Sequence, residues 1–307
     1  MSEKNKKISK FYSHGKLLLT GEYLVLSGAK AVALATKVGQ YLRVIPTDEG
    51  NILWVSFDQE EEVWFSATFD LETFEITGTV DQDRAKFIES LLVAAKKMNP
   101  GCFYGLEGVE FNTHLEFDEE WGLGSSSTLI NNVALWAEVD AYALLENTIK
   151  GSGYDIAVAR AGDNIVYALK PIRVTKKIHF DPPFKENIFF IYLNRKQDSA
   201  SEVKKFEAKD ENFQAEISGI NDISEKIVEV ESIGDFEKLI EEHNTIMSKV
   251  LGRPSAQADH PDYKGGVLKY LGAWGGDFML ATGHRNDMVY FMERGYATIV
   301  PFADMIK

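Results

Sequence analysis

Gly122-Leu123-Gly124-Ser125-Ser126-Ser127 is the stretch of this 307-residue chain best suited to holding phosphate. Two glycines permit a tight turn and a close approach of backbone to a ligand. The serines open a predicted helix, whose first N–H groups and positive dipole end favour an anion. Their hydroxyls add donors or a metal contact, and the phosphates of a nucleotide suit such a site. A serine-capped helix after a glycine turn reads the same way, so this pattern alone leaves both readings open. No Gly-x4-Gly-Lys-Ser/Thr string occurs, which excludes a Walker-type loop. Further segments carry chemistry: Gly15-Lys16 with Glu22 six residues on, Gly151-Ser152-Gly153-Tyr154-Asp155 with an acid behind a glycine turn, Lys264-Gly265-Gly266, and Gly272-Ala273-Trp274-Gly275-Gly276. His14 reads as a surface or packed histidine, and no His/Cys spacing marks a metal site.

The elements that must position these residues follow from periodicity. Lys16–Leu19 and Gly21–Leu26 read as strand, bend, strand; 41–45, 52–57, 63–69 and 108–117 read as further strands. Residues 83–98 read as a helix, with Phe87, Leu91, Leu92 and Ala95 on one face. Residues 125–145 read as a helix broken near Val139-Asp140, and 154–161 as a short helix before a strand at 165–169. Pro171 and Pro182-Pro183 mark a boundary, giving expected domains 1–175 and 176–307. Beyond it come a strand at 188–193, helices at 201–209, 217–230, 235–250 and 263–271, and strands at 278–281, 288–292 and 297–300. Grouped strands and helices predict an α+β fold.

Composition narrows the function. Lys+Arg of 33 against Asp+Glu of 47 gives a net charge of −14, which argues against nucleic acid as a partner. No run approaches the ~18 apolar residues of a membrane span, and the polar N-terminus has no signal-peptide core. The single cysteine, Cys102, allows no internal disulfide and reads as a packed thiol, which fits a cytoplasmic protein.

Taken in order along the chain, these segments resemble the GHMP kinase superfamily, named for galactokinase, homoserine kinase, mevalonate kinase and phosphomevalonate kinase. Residues 15–26, Gly-Lys-Leu-Leu-Leu-Thr-Gly-Glu-Tyr-Leu-Val-Leu, resemble its first motif; 122–127 resemble the core of its second, and 272–276 part of its third. Gly21-Glu22-Tyr23 and Gly151–Asp155 are most similar to the mevalonate-pathway kinases. The run Gly153-Tyr154-Asp155-Ile156-Ala157 also resembles a bacterial subgroup named for that string.

The resemblance implies a two-domain fold, the N-terminal part like ribosomal protein S5 domain 2 and the C-terminal part a ferredoxin-like α/β sandwich. It implies an ATP- and Mg²⁺-dependent kinase with a small-molecule acceptor, mevalonate or phosphomevalonate, and suggests a homodimer. Asp155 matches the catalytic acid and Lys16 the lysine of the first motif. Gly122, Leu123, Gly124, Ser125, Ser126 and Ser127 match the ATP-binding loop, with Ser126 and Glu146 as metal ligands. Glu22, Tyr23, Ser152, Gly272, Ala273 and Gly275 fall on the acceptor side, although Glu22 would equally pair with a lysine and Tyr23 fill core. Lys16, Lys196 and Lys264 are candidates for a basic acceptor pocket.

Features that depart from the family pattern are Asp118-Glu119-Glu120-Trp121 in place of a Pro-x-Gly opening, a Ser126-to-Asp155 interval of only 29 residues, and Trp274 and Asp277 in place of small residues. They keep two alternatives alive: a GHMP kinase for another alcohol such as homoserine or a sugar, and a non-catalytic metabolite-binding protein of this fold.

Overall fold

Period-2 alternation builds the first sheet. In the computed structural model, which describes residues 7–195, 199–207 and 213–307, the chain forms two compact units. Residues 7–15, 38–119 and 124–160 belong to the first; 16–37, 120–123 and the described residues from 161 onward belong to the second. Strands β1 (Ser9–Thr20) and β2 (Ala31–Thr47) each run through both units in sequence.

In the first unit, β2 is followed by β3 (Asn51–Phe57), β4 (Val63–Asp70) and β5 (Ile76–Thr79). Helix α1 (Gln82–Met98) and strand β6 (Gly108–Leu115) come next. Strand β6 pairs antiparallel with β2, from Gln40↔Leu115 to Thr47↔Gly108, and parallel with β3, from Ile52↔Val109 to Phe57↔His114. Alternate residues Leu42, Val44, Ile52, Trp54, Val109 and Phe111 face inward and are buried. Helices α1, α2 (Ser125–Ala137) and α3 (Ala141–Glu146) supply the apolar faces of that core. Trp54 stacks on Phe111 with ring centroids 5.1 Å apart. Helix α4 (Tyr154–Ala161) closes the unit and contributes Ile156 to the same core. The break expected near residue 139 is real: Glu138 turns left-handed at φ 54°, and Asp140 then caps α3 by accepting from the Ala143 amide.

In the second unit, the first residues of β2, Ala31–Ala33, pair with β7 (Ile165–Ala168), which pairs with β8 (Val174–Lys177). Strand β9 (Ile188–Tyr192) and helices α5 (Ser199–Glu207), α6 (Gln214–Lys226), α7 (Ile233–Leu251) and α8 (Ala256–Asp259) follow. Strands β10 (Leu268–Tyr270) and β11 (Phe278–Thr282), helix α9 (Val289–Met292), strand β12 (Ile299–Pro301) and helix α10 (Phe302–Met305) complete it. An antiparallel sheet ordered β10-β11-β9-β12 packs with α6 and α7 around Ile191, Ile220, Ile223, Met247, Leu268 and Met279, the expected α/β sandwich. Among the described residues, no helix is long and apolar enough to cross a membrane.

Three element assignments are corrected. Residues 21–26 do not continue as strand. Gly21 is at φ 87° and Tyr23 at φ 56°, and Leu24–Ser27 winds as a 3-10 turn. Residues 263–271 are not helix but loop and β10. A β-carbon on Gly266 would lie 2.2 Å from Thr282 Oγ1, and the Val267 amide donates to that same hydroxyl, so close backbone approach and sheet pairing override helical spacing. Residues 288–292 are helical because Asp287 accepts from the His284 amide at 2.7 Å and nucleates a turn.

Candidate functional site

In the second unit, Lys16 is bound to the glycine turn twice. Its amide donates to Leu123 O and its Nζ to Gly122 O, each at 3.0 Å. One ammonium donor therefore helps fix the loop it was expected to serve. Gly122, at φ 65°, is also confined from the far side. A β-carbon there would lie 2.3 Å from Asp277 Cγ. Asp277 is itself buried and left-handed, at φ 54°, in the late glycine loop. Its amide donates to Arg195 O, and its carbonyl accepts from the Leu193 amide. Gly272, Trp274 and Gly275 share positive φ, at 64°, 58° and 93°, which gives this loop a tight left-handed path. Trp274 Nε1 donates to Pro254 O at 3.0 Å.

Glu22 is fully buried. Its carboxylate forms an ion pair with Lys269, and its other oxygen lies 2.9 Å from His243 Nε2; all three side chains are inaccessible. Burial pushes the Glu22 carboxyl up, but Lys269 and His243 together more than offset that and hold it below the usual carboxylate range. Burial lowers both Lys269 and His243, so the imidazole is neutral beside a charged Glu22–Lys269 pair. A lone buried charge costs several kcal/mol, which is why the two come together. The His243 contact has ion-pair distance without hydrogen-bond geometry, since neither ring nitrogen has a well-aligned partner.

Tyr23 follows in a γ-turn, with Leu24 N donating back to Glu22 O at 2.5 Å. A γ-turn with positive φ is strained and persists only where its surroundings over-determine it. Here the phenol donates to Ala273 O at 2.8 Å, and its ring packs against Phe206. The first motif and the late loop are thus joined by Tyr23 to Ala273 and by Glu22 to Lys269. Glu22 has the lysine partner that was one of its two readings, while Lys269 and His243 went unnoticed in the sequence. The signal was present: His243 falls on the same helical stripe as Phe236, Ile240 and Met247, and Lys269 lies between Leu268 and Tyr270 in a strand.

In the first unit, Gly124 is the residue before α2 and is left-handed at φ 87°; it provides no side-chain cap. The serine-cap reading of this stretch is therefore not what the fold adopts. Ser125, Ser126 and Ser127 occupy the first turn, Ser126 exposed and its neighbours half-buried. The amides of a first turn have no intrahelical partner. The helix behind them is fixed by buried amides: Asn131 Nδ2 donates to Ser13 Oγ, Ser13 Oγ donates to Asn132 Oδ1, and Asn132 Nδ2 donates to Gln40 O, at 2.8–2.9 Å. Thr128 Oγ1 donates to Gln40 Oε1 at 2.7 Å. Two polar residues in an otherwise apolar helix were the visible sign of this anchoring.

Asp155 sits half-buried in the first turn of α4, behind Gly151 and Gly153 at φ 150° and 82°. Ser152 lies half-buried between those glycines. Arg160, at the other end of α4, donates to Asp140 Oδ2 at 2.8 Å and covers the Tyr142 ring, tying α4 to α3. Glu146 ends α3 and is exposed. Among the described residues, no group of three or more His, Cys, Asp or Glu side chains gathers as a metal site. Of the acids at 118–120, Glu119 is neutralised by Arg84 Nη2, 3.0 and 3.1 Å from its two oxygens. Cys102 is half-buried, and burial pushes its thiol up to about 11, so it is a packed thiol. Lys196 lies outside the described residues, and Lys264 donates to Pro261 O on an exposed turn.

No protein-family profile matches this chain, and no curated protein sequence does. Solved structures do match. Mevalonate kinase from Methanococcus jannaschii is 18% identical, with 97% of this chain and 98% of that one covered and a TM-score of 0.67. The Lin0012 protein of Listeria innocua is 17% identical, with 96% and 97% covered and a TM-score of 0.70. Streptococcus pneumoniae phosphomevalonate kinase, solved with phosphomevalonate and AMPPNP, is 15% identical, with 95% and 99% covered and a TM-score of 0.68. This chain has the GHMP kinase fold. Coverage near the full length of each partner means that both halves of the GHMP fold are represented, from the first motif to the late loop.

Proposed function

We propose that this protein is an ATP-dependent phosphotransferase of the GHMP type, with mevalonate or phosphomevalonate as acceptor. The observation that carries this reading is the uncapped first turn of α2 behind a glycine turn, in a chain of this fold. Uncapped amides at the positive end of a helix dipole suit a triphosphate. The γ-phosphoryl group passes from ATP to an acceptor oxygen, and ADP leaves. Asp155 orients the attacking hydroxyl and takes its proton where the acceptor is an alcohol. A phosphate acceptor has no such proton to give, and Asp155 then acts only in positioning. Lys16, already seated against Gly122, offsets negative charge in the transition state. The oxygen donors Ser126 and Glu146 fit a hard cation. Mg²⁺ bound there would neutralise phosphate charge.

A second reading has one specific observation behind it. The Asp277 side chain packs on Gly122, so the glycine turn is already occupied on one side. That side chain also takes up space that a close approach of a ligand to the turn's backbone would need, which favours a metabolite-binding protein without phosphoryl transfer. The deciding assay is ADP release with Mg·ATP against mevalonate, phosphomevalonate, homoserine and galactose, with Asp155→Asn alongside. Turnover with one of the first two that falls by about 10²–10⁴ in the variant supports the proposal. Absence of both ATP binding and turnover on every acceptor supports the second reading.

A further inference from the structure

The first unit carries a cavity on the sheet face opposite α2, lined by none of the residues assigned to the phosphate loop. Its volume is about 360 Å³, the low end of small-molecule sites. The register explains its floor. Tyr41 on β2 faces His114 on β6, and His114 faces Phe57 on β3, so the three make one transverse row. All point away from the core because Leu42, Thr113 and Ser56, their sequence neighbours, are buried. The Tyr41 and His114 rings stack at 6.5 Å with planes 29° apart, and Tyr12 packs on Tyr41 at 4.5 Å. The next row pairs Arg43 with Asn112. Lys10, two residues before Tyr12, completes the wall, and Glu61 stands among the lining residues.

Three properties define what this cavity would take. First, Lys10 and Arg43 have no ion-pair partner among the described residues, in a chain with 47 acidic and 33 basic side chains. Two exposed cations that border one cavity without a carboxylate partner favour an anion there. Second, the floor is aromatic, and Tyr41 is 40% exposed, which suits a flat ring. Third, Asn112 Oδ1 and His114 Nε2 are buried without a hydrogen-bond partner. The Asn112 orientation is set by its own Nδ2, which donates to Glu110 at 2.8 Å. An unpartnered carbonyl oxygen calls for an N–H donor, since leaving it unmet costs free energy.

We propose that this cavity is a binding site for a small heteroaromatic anion: a planar ring with an N–H donor, carrying a carboxylate or a phosphate ester. The ring lies on Tyr41, His114 and Phe57, the anion meets Lys10 and Arg43, and the ring N–H meets Asn112 Oδ1. The site stands whether or not the phosphate loop operates, because none of its residues belongs to that loop.

Calorimetric titration of the full chain at low salt, with orotate as the ring carboxylate and uridine 5′-monophosphate as the phosphate ester, tests it. Wild type, Arg43→Ala, Lys10→Ala and Ser126→Ala are compared after their melting curves are matched. At least one probe should bind with Kd below about 1 mM. That affinity should weaken by about tenfold or more in both Arg43→Ala and Lys10→Ala, the loss expected of a charge-assisted contact, and change by less than about twofold in Ser126→Ala. The probe that binds identifies the anion. Failure of both probes to bind, or binding by either that Arg43→Ala and Lys10→Ala leave intact, overturns the proposal.

Discussion

Helices α2 and α7 begin in opposite ways. At the start of α7, Ser232 Oγ accepts from the Asp235 amide at 3.1 Å and Asp235 adds a first-turn carboxylate, so the end is closed by its own sequence. At the start of α2, Gly124 has no side chain to offer, and the first turn contains no acid. Yet α2 is firmly fixed by buried polar contacts, through Thr128, Asn131 and Asn132. A helix end that is rigidly positioned and left uncapped is suited to an external anion, whereas a capped end serves the fold alone. The same division separates Glu22, closed in by Lys269 and His243, from Ser126, which is exposed.

The largest effect that would sharpen this contrast is on the closed side. Glu22→Ala leaves Lys269 buried without its partner and should cost about 3–5 kcal/mol of stability, read from chemical denaturation. Acid should act in the same direction. Glu22 is held low in the fold, so its contribution is present above the ordinary carboxylate range near pH 4.3 and is lost as pH falls through its lowered native value. His243 is buried neutral, so the unfolded chain takes up the proton first, and stability starts to fall below the free-imidazole value of 6.5. A His243→Gln variant should flatten the stability curve between pH 7 and 5; an unchanged slope would break the assignment.

A smaller effect is expected at the open end. Gly124→Asp supplies a carboxylate at the cap position of α2, in a left-handed conformation that Asp tolerates better than most residues. It should weaken Mg·ATP binding by about tenfold or more and cost about 1–2 kcal/mol of stability for a side chain in the left-handed region. Retained affinity would mean that these amides do not meet the phosphates. The smallest is Ser232→Ala, which should cost about 1 kcal/mol of stability and leave nucleotide affinity and turnover unchanged.

Much of the local structure was legible because it is written locally. The bounds of α4, the break at Asp140 and the alternation of β3 and β4 follow from spacing, caps and turn residues close in sequence. What escaped depends on partners far along the chain. Lys269 lies in a stretch whose spacing suits a helix but belongs to a strand, because β11 pairs with it and Glu22 receives its charge. The γ-turn at Tyr23 is held by a carbonyl 250 residues away. The loop glycines were visible as a pattern; that Gly122 faces Asp277 was not, since contact across 155 positions leaves no periodic trace. The cavity row Tyr41, His114 and Phe57 likewise exists only once the register is known.

The contact between Gly122 and Asp277 also constrains descent. With a carboxylate in place at 277, no side chain fits at 122 unless the acid shifts, so the two positions are sterically coupled. Alanine at 122 meets that acid and, at φ 65°, backbone strain as well, so it should cost less beside a smaller residue at 277. In laboratory selection from this sequence, changes at 277 should therefore precede changes at 122, the reverse order carrying the larger cost at its first step.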